Sequence, residues 1–243
     1  LPVEDIDAGL AELLNFAEGH RGFRAQAGLW FNPPVQVAYQ PGGVVLTGVN
    51  ERIVEVPFVF RALAGLPAGA RILDVGSAES TLALSLASLG YRVTALDLRE
   101  YPLRHRDIEV VAAPLEEWDG APEEGFDAIV CLSTIEHLGL GAYGEHAGDD
   151  RADLAGMRRL RAMAAPGGRL VLTAPYATSA GREEGQRVYD RPGVDELLEG
   201  WDVREVVVAH PASPVEWTVL GPGEEPPEGR TAVVMAVASA PGR

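Results

Sequence analysis

Gly76 and Asp97 stand 21 residues apart, one closing the apolar run 71–75 and the other near the end of the run 92–98. A glycine at a strand tip admits any φ and lets the backbone approach a ligand closely. A carboxylate at the tip of a neighbouring strand can accept hydrogen bonds from both hydroxyls of a ribose. The pair therefore predicts an adenosine-like ligand bound across two strand ends.

The residues beside the glycine bear on which ligand that is. A dinucleotide site wants G-x-G-x-x-G, whose glycines leave helix amides for a pyrophosphate. In this chain the turn reads Gly76-Ser77-Ala78-Glu79-Ser80-Thr81, with one glycine, and Glu79 sets negative charge where a pyrophosphate would lie. That acid is tolerable beside a ligand bearing an amino group and a sulfonium. LDVGSAES (73–80) resembles D-x-G-x-G-x-G, the first motif of the class I S-adenosylmethionine-dependent methyltransferases, and FDAIVCLSTIEH (126–137) resembles their fourth-strand motif. The resemblance implies a doubly wound, Rossmann-like seven-stranded sheet, mostly parallel with an antiparallel last strand. It further implies that Asp74, Gly76, Ala78 and Glu79 surround the methionine part of S-adenosylmethionine, Asp97 holds the ribose, and Ser133 lies at the cofactor. Ala78 and Ser80 replace two of the family's glycines. The family's acid after the third strand, which meets the adenine amino group, is replaced by Pro114 and Leu115, leaving Glu116 as a displaced candidate.

Methyl transfer from a sulfonium is an in-line displacement, so the enzyme must position the acceptor and remove its proton. His137 is the expected general base, because imidazole titrates near the working pH; holding the loop by a backbone hydrogen bond is its alternative role. Glu136 is expected to orient His137 or to touch the cofactor. His146, Asp149 and Asp150 form a second cluster before a predicted helix. Capping by Asp150 is the plainer expectation, and a Mg²⁺ held by Asp149 and Asp150 that orients the acceptor's hydroxyls is the alternative. The loop PYATSAGREEGQRVYD (175–190) is read either as a closure over the acceptor or as a solvated loop. Trp118 and Trp201 are read as packing residues. IEHLGLGAYGE and NERIVEVPFVFRAL resemble methyltransferases found among sugar and cell-surface glycoside genes. This implies a sugar hydroxyl as acceptor, on a deoxysugar or a sugar nucleotide such as a TDP-hexose, within antibiotic tailoring in an actinomycete. By the same resemblance Glu51, Arg52 and Glu55 border the cofactor or acceptor, against the alternative that Arg52 and Glu55 form an exposed helical pair. An NAD(P)-dependent oxidoreductase and a non-catalytic S-adenosylmethionine-binding protein are the rival readings.

Composition narrows the partners. A formal charge of −16 argues against nucleic acid and anionic membrane surfaces, both of which want a basic patch. All 20 basic residues are arginine, which fits a GC-rich genome and excludes Schiff-base and P-loop lysine chemistry. The single cysteine, Cys131, lies in an apolar run and reads as a buried small hydrophobe. No apolar run reaches 18 residues and the N-terminus is not signal-like, so a cytoplasmic protein is expected; the start at Leu1 reads as trimmed. A homo-oligomer is an open expectation.

The elements that must position these residues follow from periodicity. Helical spacing is read at 5–18, capped by Asp5 or Asp7, and at 51–66 with Pro57 kinking or restarting it. A hairpin turns at Pro41-Gly42-Gly43. Residues 1–66 are therefore an N-terminal extension on a core spanning 67–243. In that core, strands at 71–75, 92–97, 108–113, 127–133, 169–174, 202–209 and 231–239 alternate with helices at 80–89, 151–164 and 192–200. The last two strands lack an intervening helix and predict an antiparallel pair at the sheet edge.

Overall fold

The computed structural model describes residues 2–141, 148, 150–183 and 185–242. A single eight-stranded sheet runs through its centre. The first core strand, β3 (Arg71–Val75), pairs in parallel with β4 (Arg92–Asp97) on one side and β6 (Phe126–Leu132) on the other. Strand β5 (Ile108–Ala112) extends the sheet beyond β4, and β7 (Ala164–Tyr176) extends it beyond β6. Strand β12 (Ala232–Ser239) then inserts antiparallel between β7 and β10 (Asp202–Ser213). The final strand is thus interior, with β10 outside it. The eighth strand is β11 (Glu216–Val219), antiparallel to β10 at the edge.

The central strands form where they do because they are buried on both faces. Ile72 and Leu73, adjacent in β3, are both fully buried and point to opposite faces. One face packs Ile72, Val93, Ala128 and Val171 against α3 (Arg52–Leu63) and α4 (Leu82–Ser88). The other packs Leu73, Leu96, Ile129 and Leu172 against α5 (Ala152–Met163) and α6 (Arg191–Leu197).

Ahead of the sheet, Asp7 caps α1 (Ala8–Glu18) by accepting from the Leu10 amide at 2.8 Å. A single turn, α2 (Phe23–Gln26), precedes the hairpin of β1 (Val35–Gln40) and β2 (Gly43–Val49). Helix α3 runs through Pro57 without a restart. The carbonyl this leaves unbonded is that of Ile53, which lies on the exposed side where water can take it. A second small hairpin, β8 (Gly181–Glu183) with β9 (Gln186–Val188), occupies the stretch after β7. Among the described residues no helix is long and apolar enough to cross a membrane.

Candidate active site at the strand switch

Chain order reverses at β3: from there the sheet grows outward through β4 and β5, then returns to add β6 on β3's other side. The carboxyl ends of β3 and β6 therefore diverge and leave a crevice, the position where ligands bind in open α/β sheets. Gly76 stands at the end of β3 and Ser133 at the end of β6. Gly76 has φ +77°, and a Cβ there would lie 2.1 Å from Thr134 Oγ1. That hydroxyl is itself fixed, donating toward the carbonyls of Leu132 (3.0 Å) and Val75 (3.2 Å). Ser133 is the only non-glycine with positive φ among the described residues, at +43°.

Between these strand ends lies a cavity with about 760 Å³ of empty space, its open mouth included. Apolar side chains, Val75, Leu96, Leu98, Ala113, Leu115 and Leu138, form much of its wall. Gly76, Glu79, Asp97, Glu116, Ser133 and His137 also line it, together with Arg52, Arg99 and Thr134. Asp97 is held in place by two backbone amides: Ala78 donates to Oδ2 and Arg99 to Oδ1, both at 2.9 Å. A carboxylate offers about four lone-pair sites, so two remain for a ligand. The Arg99 guanidinium reaches Glu79 at 2.7 Å and Asp97 at 3.5 Å, tying the two acids together across the rim.

Asp74, Ala78 and Glu136 stand behind this wall rather than on it. Asp74 is buried, and its Oδ2 has no hydrogen-bond partner, like the nearby Ser77 Oγ. Burial, with the Asp97 charge adding to it, pushes the Asp74 carboxyl up to about 7. Glu136 is fully buried with neither carboxyl oxygen hydrogen-bonded, and burial followed by repulsion from Glu55 raises it to about 8. A carboxyl that titrates near 4.5 when unfolded and near 8 when folded favours the fold while protonated. Its contribution is complete below pH 4.5 and is lost as pH rises toward 8, on the order of 5 kcal/mol at most. Glu136→Gln is expected to match wild type in thermal unfolding at pH 4.5 and to exceed it by several degrees at pH 9. Equal melting temperatures at both pH values would show that the Glu136 carboxyl is not raised by the fold.

Arg52 and Glu55 do not form an exposed pair. Glu55 has no exposed surface and bonds Arg52 Nη1 at 2.8 Å, because α3 turns this face onto the ends of β6 and β7. The loop after β6 begins with a 3-10 turn, Ile135–His137. His137 Nδ1 lies 3.1 Å from the Gly185 carbonyl, between β8 and β9. A carbonyl only accepts, so Nδ1 carries the proton and the lone pair of the neutral ring is on Nε2. Glu136 Oε1 is 3.9 Å from that nitrogen. Arg187, buried on β9, donates to the carbonyls of Glu136 and Leu138 on either side of His137. The end of the stretch 175–190, residues 186–190, is thus a packed brace, while 178–183 are exposed. Tyr189 donates to buried Asp153 at 2.9 Å, and Asp190 caps α6 at the Gly193 amide.

The expected capping by Asp150 is corrected by the structure. The N-cap position of α5 is Arg151 and carries no side-chain cap, while Asp150 pairs with Arg182 at 2.7 Å on the surface. Asp149 and His146 lie outside the described residues. Asp150 already holds a cation, and among the described residues no group of three or more His, Cys, Asp or Glu side chains is placed to hold a metal. The described residues do not fit Mg²⁺, and no step is assigned to it.

A family model described as a methyltransferase domain matches residues 55–213, from α3 through β10. The chain belongs to the class I S-adenosylmethionine-dependent methyltransferases. A ubiquinone biosynthesis O-methyltransferase from Alkalilimnicola ehrlichii is 32% identical over 134 residues, 51% of this chain and 51% of that protein. The chain spans about half the length of the curated relatives it matches. Among solved structures, a Burkholderia thailandensis 1,6-didemethyltoxoflavin-N1-methyltransferase, with bound 1,6-didemethyltoxoflavin and S-adenosylhomocysteine, superposes with TM-score 0.57. It is 21% identical and covers 79% of this chain and 80% of its own. The [4+2]-cyclase SpnF superposes with TM-score 0.58 at 14% identity, covering 88% and 86%. These two likenesses speak to the fold alone. The relatives are named for ubiquinone biosynthesis, and none of those compared is named for a sugar pathway.

Several features of this cavity escape a reading of the sequence. Thr134, whose hydroxyl fills the space beside Gly76, has no motif of its own; a glycine facing a strand end across the switch point is the signal that a neighbour occupies its Cβ position. Arg99 follows Asp97 by two residues, the spacing at which a side chain returns to the same side of an extended chain. Thr173 reads from sequence as one more residue of a buried strand.

Proposed function

We propose that the chain is an S-adenosylmethionine-dependent O-methyltransferase acting on a hydroxyl of a small molecule. The observation that carries this is the convergence, on one cavity at the strand switch, of Gly76, Asp97 and His137. The residues suit the cofactor. Gly76 lets the turn pack directly on Thr134 at the crevice, and Asp97 is pre-set by two amides with lone pairs to spare for a ribose. Glu116 stands at the apolar wall formed with Ala113 and Leu115, on the side assigned to the adenine. Arg52 offers a cation to the amino-acid carboxylate, and Glu79, on the same cavity wall, an acid for the ammonium. Ser133 closes that end. Asp74 and Ala78 act from beneath, Ala78 by fixing Asp97 and Asp74 beneath the turn that carries Gly76.

When bound, S-adenosylmethionine supplies an electrophilic methyl group on a sulfonium. The protein's part is to hold the acceptor hydroxyl in line and to accept its proton at His137 Nε2. The Gly185 carbonyl fixes the tautomer that presents this lone pair. Oxygen as acceptor atom is supported by the O-methyltransferase names of the relatives. Those names lend no support to a sugar, so the acceptor is assigned only as far as a small-molecule hydroxyl. The expected boundary at 66 moves, because α3 covers one face of the sheet. Residues 1–51 are assigned as a cap on the core; the Asn32 amide, which bonds the Glu79 carbonyl at 2.9 Å, ties this segment to the cofactor turn.

Calorimetry with S-adenosylhomocysteine, with NAD and NADP as controls, tests the cofactor assignment. Binding of the homocysteine product alone is expected, and Asp97→Asn should weaken it about 10- to 100-fold by removing charge-assisted bonds to the ribose. Binding of a nicotinamide cofactor in its place would overturn the reading. Cofactor binding without methyl transfer to any hydroxyl compound would favour a non-catalytic role or another reaction on this fold.

A further inference from the structure

Glu55 is a fully buried carboxylate with three side-chain partners, two of them from distant parts of the chain. Arg52 Nη1 donates to its Oε2 at 2.8 Å, and Ser133 Oγ and Thr173 Oγ1 each donate to its Oε1 at 2.6 Å. A buried carboxylate is costly unless paired and hydrogen-bonded, and this one is both. Two of its partners, Arg52 and Ser133, are on the cavity wall; Glu55 and Thr173 are behind it. Ser133 is held at φ +43°, where a residue with a side chain is strained, and its amide donates to the Thr173 carbonyl and hydroxyl at 3.2 and 3.0 Å. Burial opposes the Arg52 charge, but Glu55, Glu51 and Glu136 outweigh it and keep the guanidinium above its ordinary value.

We propose that Glu55 is a positioning residue for the amino-acid end of the cofactor: it aims Arg52 into the cavity and pins Ser133 in its left-handed conformation, joining α3 to the ends of β6 and β7. This rests on the cavity being the S-adenosylmethionine site. Because Arg52 is the group it aims, the consequence is selective: Glu55 governs affinity for the carboxylate-bearing part of the ligand and leaves the adenosine part alone.

The test is calorimetry of Glu55→Gln with two probes, S-adenosylhomocysteine and 5′-methylthioadenosine. The second keeps the adenosine and the thioether but lacks the amino-acid group. Glu55→Gln retains an oxygen for the two hydroxyls and loses the charge that holds Arg52. Its Kd for S-adenosylhomocysteine is expected to rise about 10-fold or more, with that for methylthioadenosine changed less than about twofold. Thr173→Val lies off the cavity wall and removes one donor to Glu55; it should give the same selectivity at about threefold. Equal losses for both probes, or wild-type affinity for S-adenosylhomocysteine in a folded Glu55→Gln protein, would overturn the proposal. Should Glu55→Gln fail to fold by circular dichroism, Thr173→Val decides alone, and an equal or absent loss there overturns it. Wild-type protein that binds the two probes equally well would remove Arg52 from the carboxylate, and Glu55's role with it. Wild-type protein that binds neither would overturn the cofactor reading itself.

Discussion

Replacing Gly76 with alanine is expected to weaken S-adenosylhomocysteine binding about 100-fold or more and to lower thermal stability at the same time. Two costs add. An L-residue at φ +77° is disfavoured by roughly 1–2 kcal/mol. The new methyl group would also meet Thr134 Oγ1 at 2.1 Å, Cγ2 at 2.6 Å and Cβ at 2.9 Å. Thr134 cannot simply rotate away, because its hydroxyl is bonded to two carbonyls at the ends of β3 and β6. The strain therefore passes into the strand ends that frame the cavity, at about 1–3 kcal/mol for an overpacked site. Thr134→Ala in the Gly76→Ala background removes Oγ1 and Cγ2 and should recover part of the stability, leaving the φ cost. Calorimetry and thermal melts on the single and double variants check this. A Gly76→Ala protein that binds like wild type would mean that the turn opens without cost and that its glycine has no bearing on the ligand.

Substituting His137 with glutamine is expected to lower kcat by about 10²- to 10⁴-fold while leaving S-adenosylhomocysteine affinity within a few-fold of wild type. Glutamine can keep a bond to the Gly185 carbonyl through its amide, so the brace of β8 and β9 over the site should survive. It offers no basic nitrogen. The contrast separates catalysis from architecture: a residue that merely tied down the loop would move cofactor affinity and stability together, with little left for kcat alone. Single-turnover rates on an accepted hydroxyl substrate, set beside calorimetry, give both numbers. A rate within a few-fold of wild type would take the base role from His137 and turn attention to acids lining the same cavity.

The core strands were legible because strands buried on both faces are continuous apolar runs; Arg71–Val75 and Phe126–Leu132 could hardly be anything else. Strand β11 was not legible. Its four residues, Glu216–Val219, are largely exposed, lie in a stretch rich in proline, glycine and glutamate, and gain their structure only from the edge of β10. The same holds for the three-residue strands β8 and β9, whose pairing owes more to Arg187 and Tyr189 packing against the site than to their own sequence. At the site, the positions set by the chain's own rhythm, Gly76 and Asp97 at strand tips, were readable. Glu55 was not, since Arg52 and Glu55 at i, i+3 look like a surface pair. Only Ser133 and Thr173, 78 and 118 residues away, reveal that the face is buried. Asp150 failed in the opposite way: a good capping residue in sequence, it is claimed by Arg182 from a hairpin whose residues read as a loop.

The place of β12 between β7 and β10 has a consequence for how this protein is made. Strand β10 reaches the rest of the sheet through β12 alone, and Ala232–Ser239 leave the ribosome after every other strand. Until they emerge, the edge of β7 stays open, and the pair of β10 and β11 has nothing to join. Open edges of this kind template pairing with other chains. Closure of this sheet therefore waits for β12, and a nascent chain stalled short of Ser239 would be a form exposed to aggregation and to proteases.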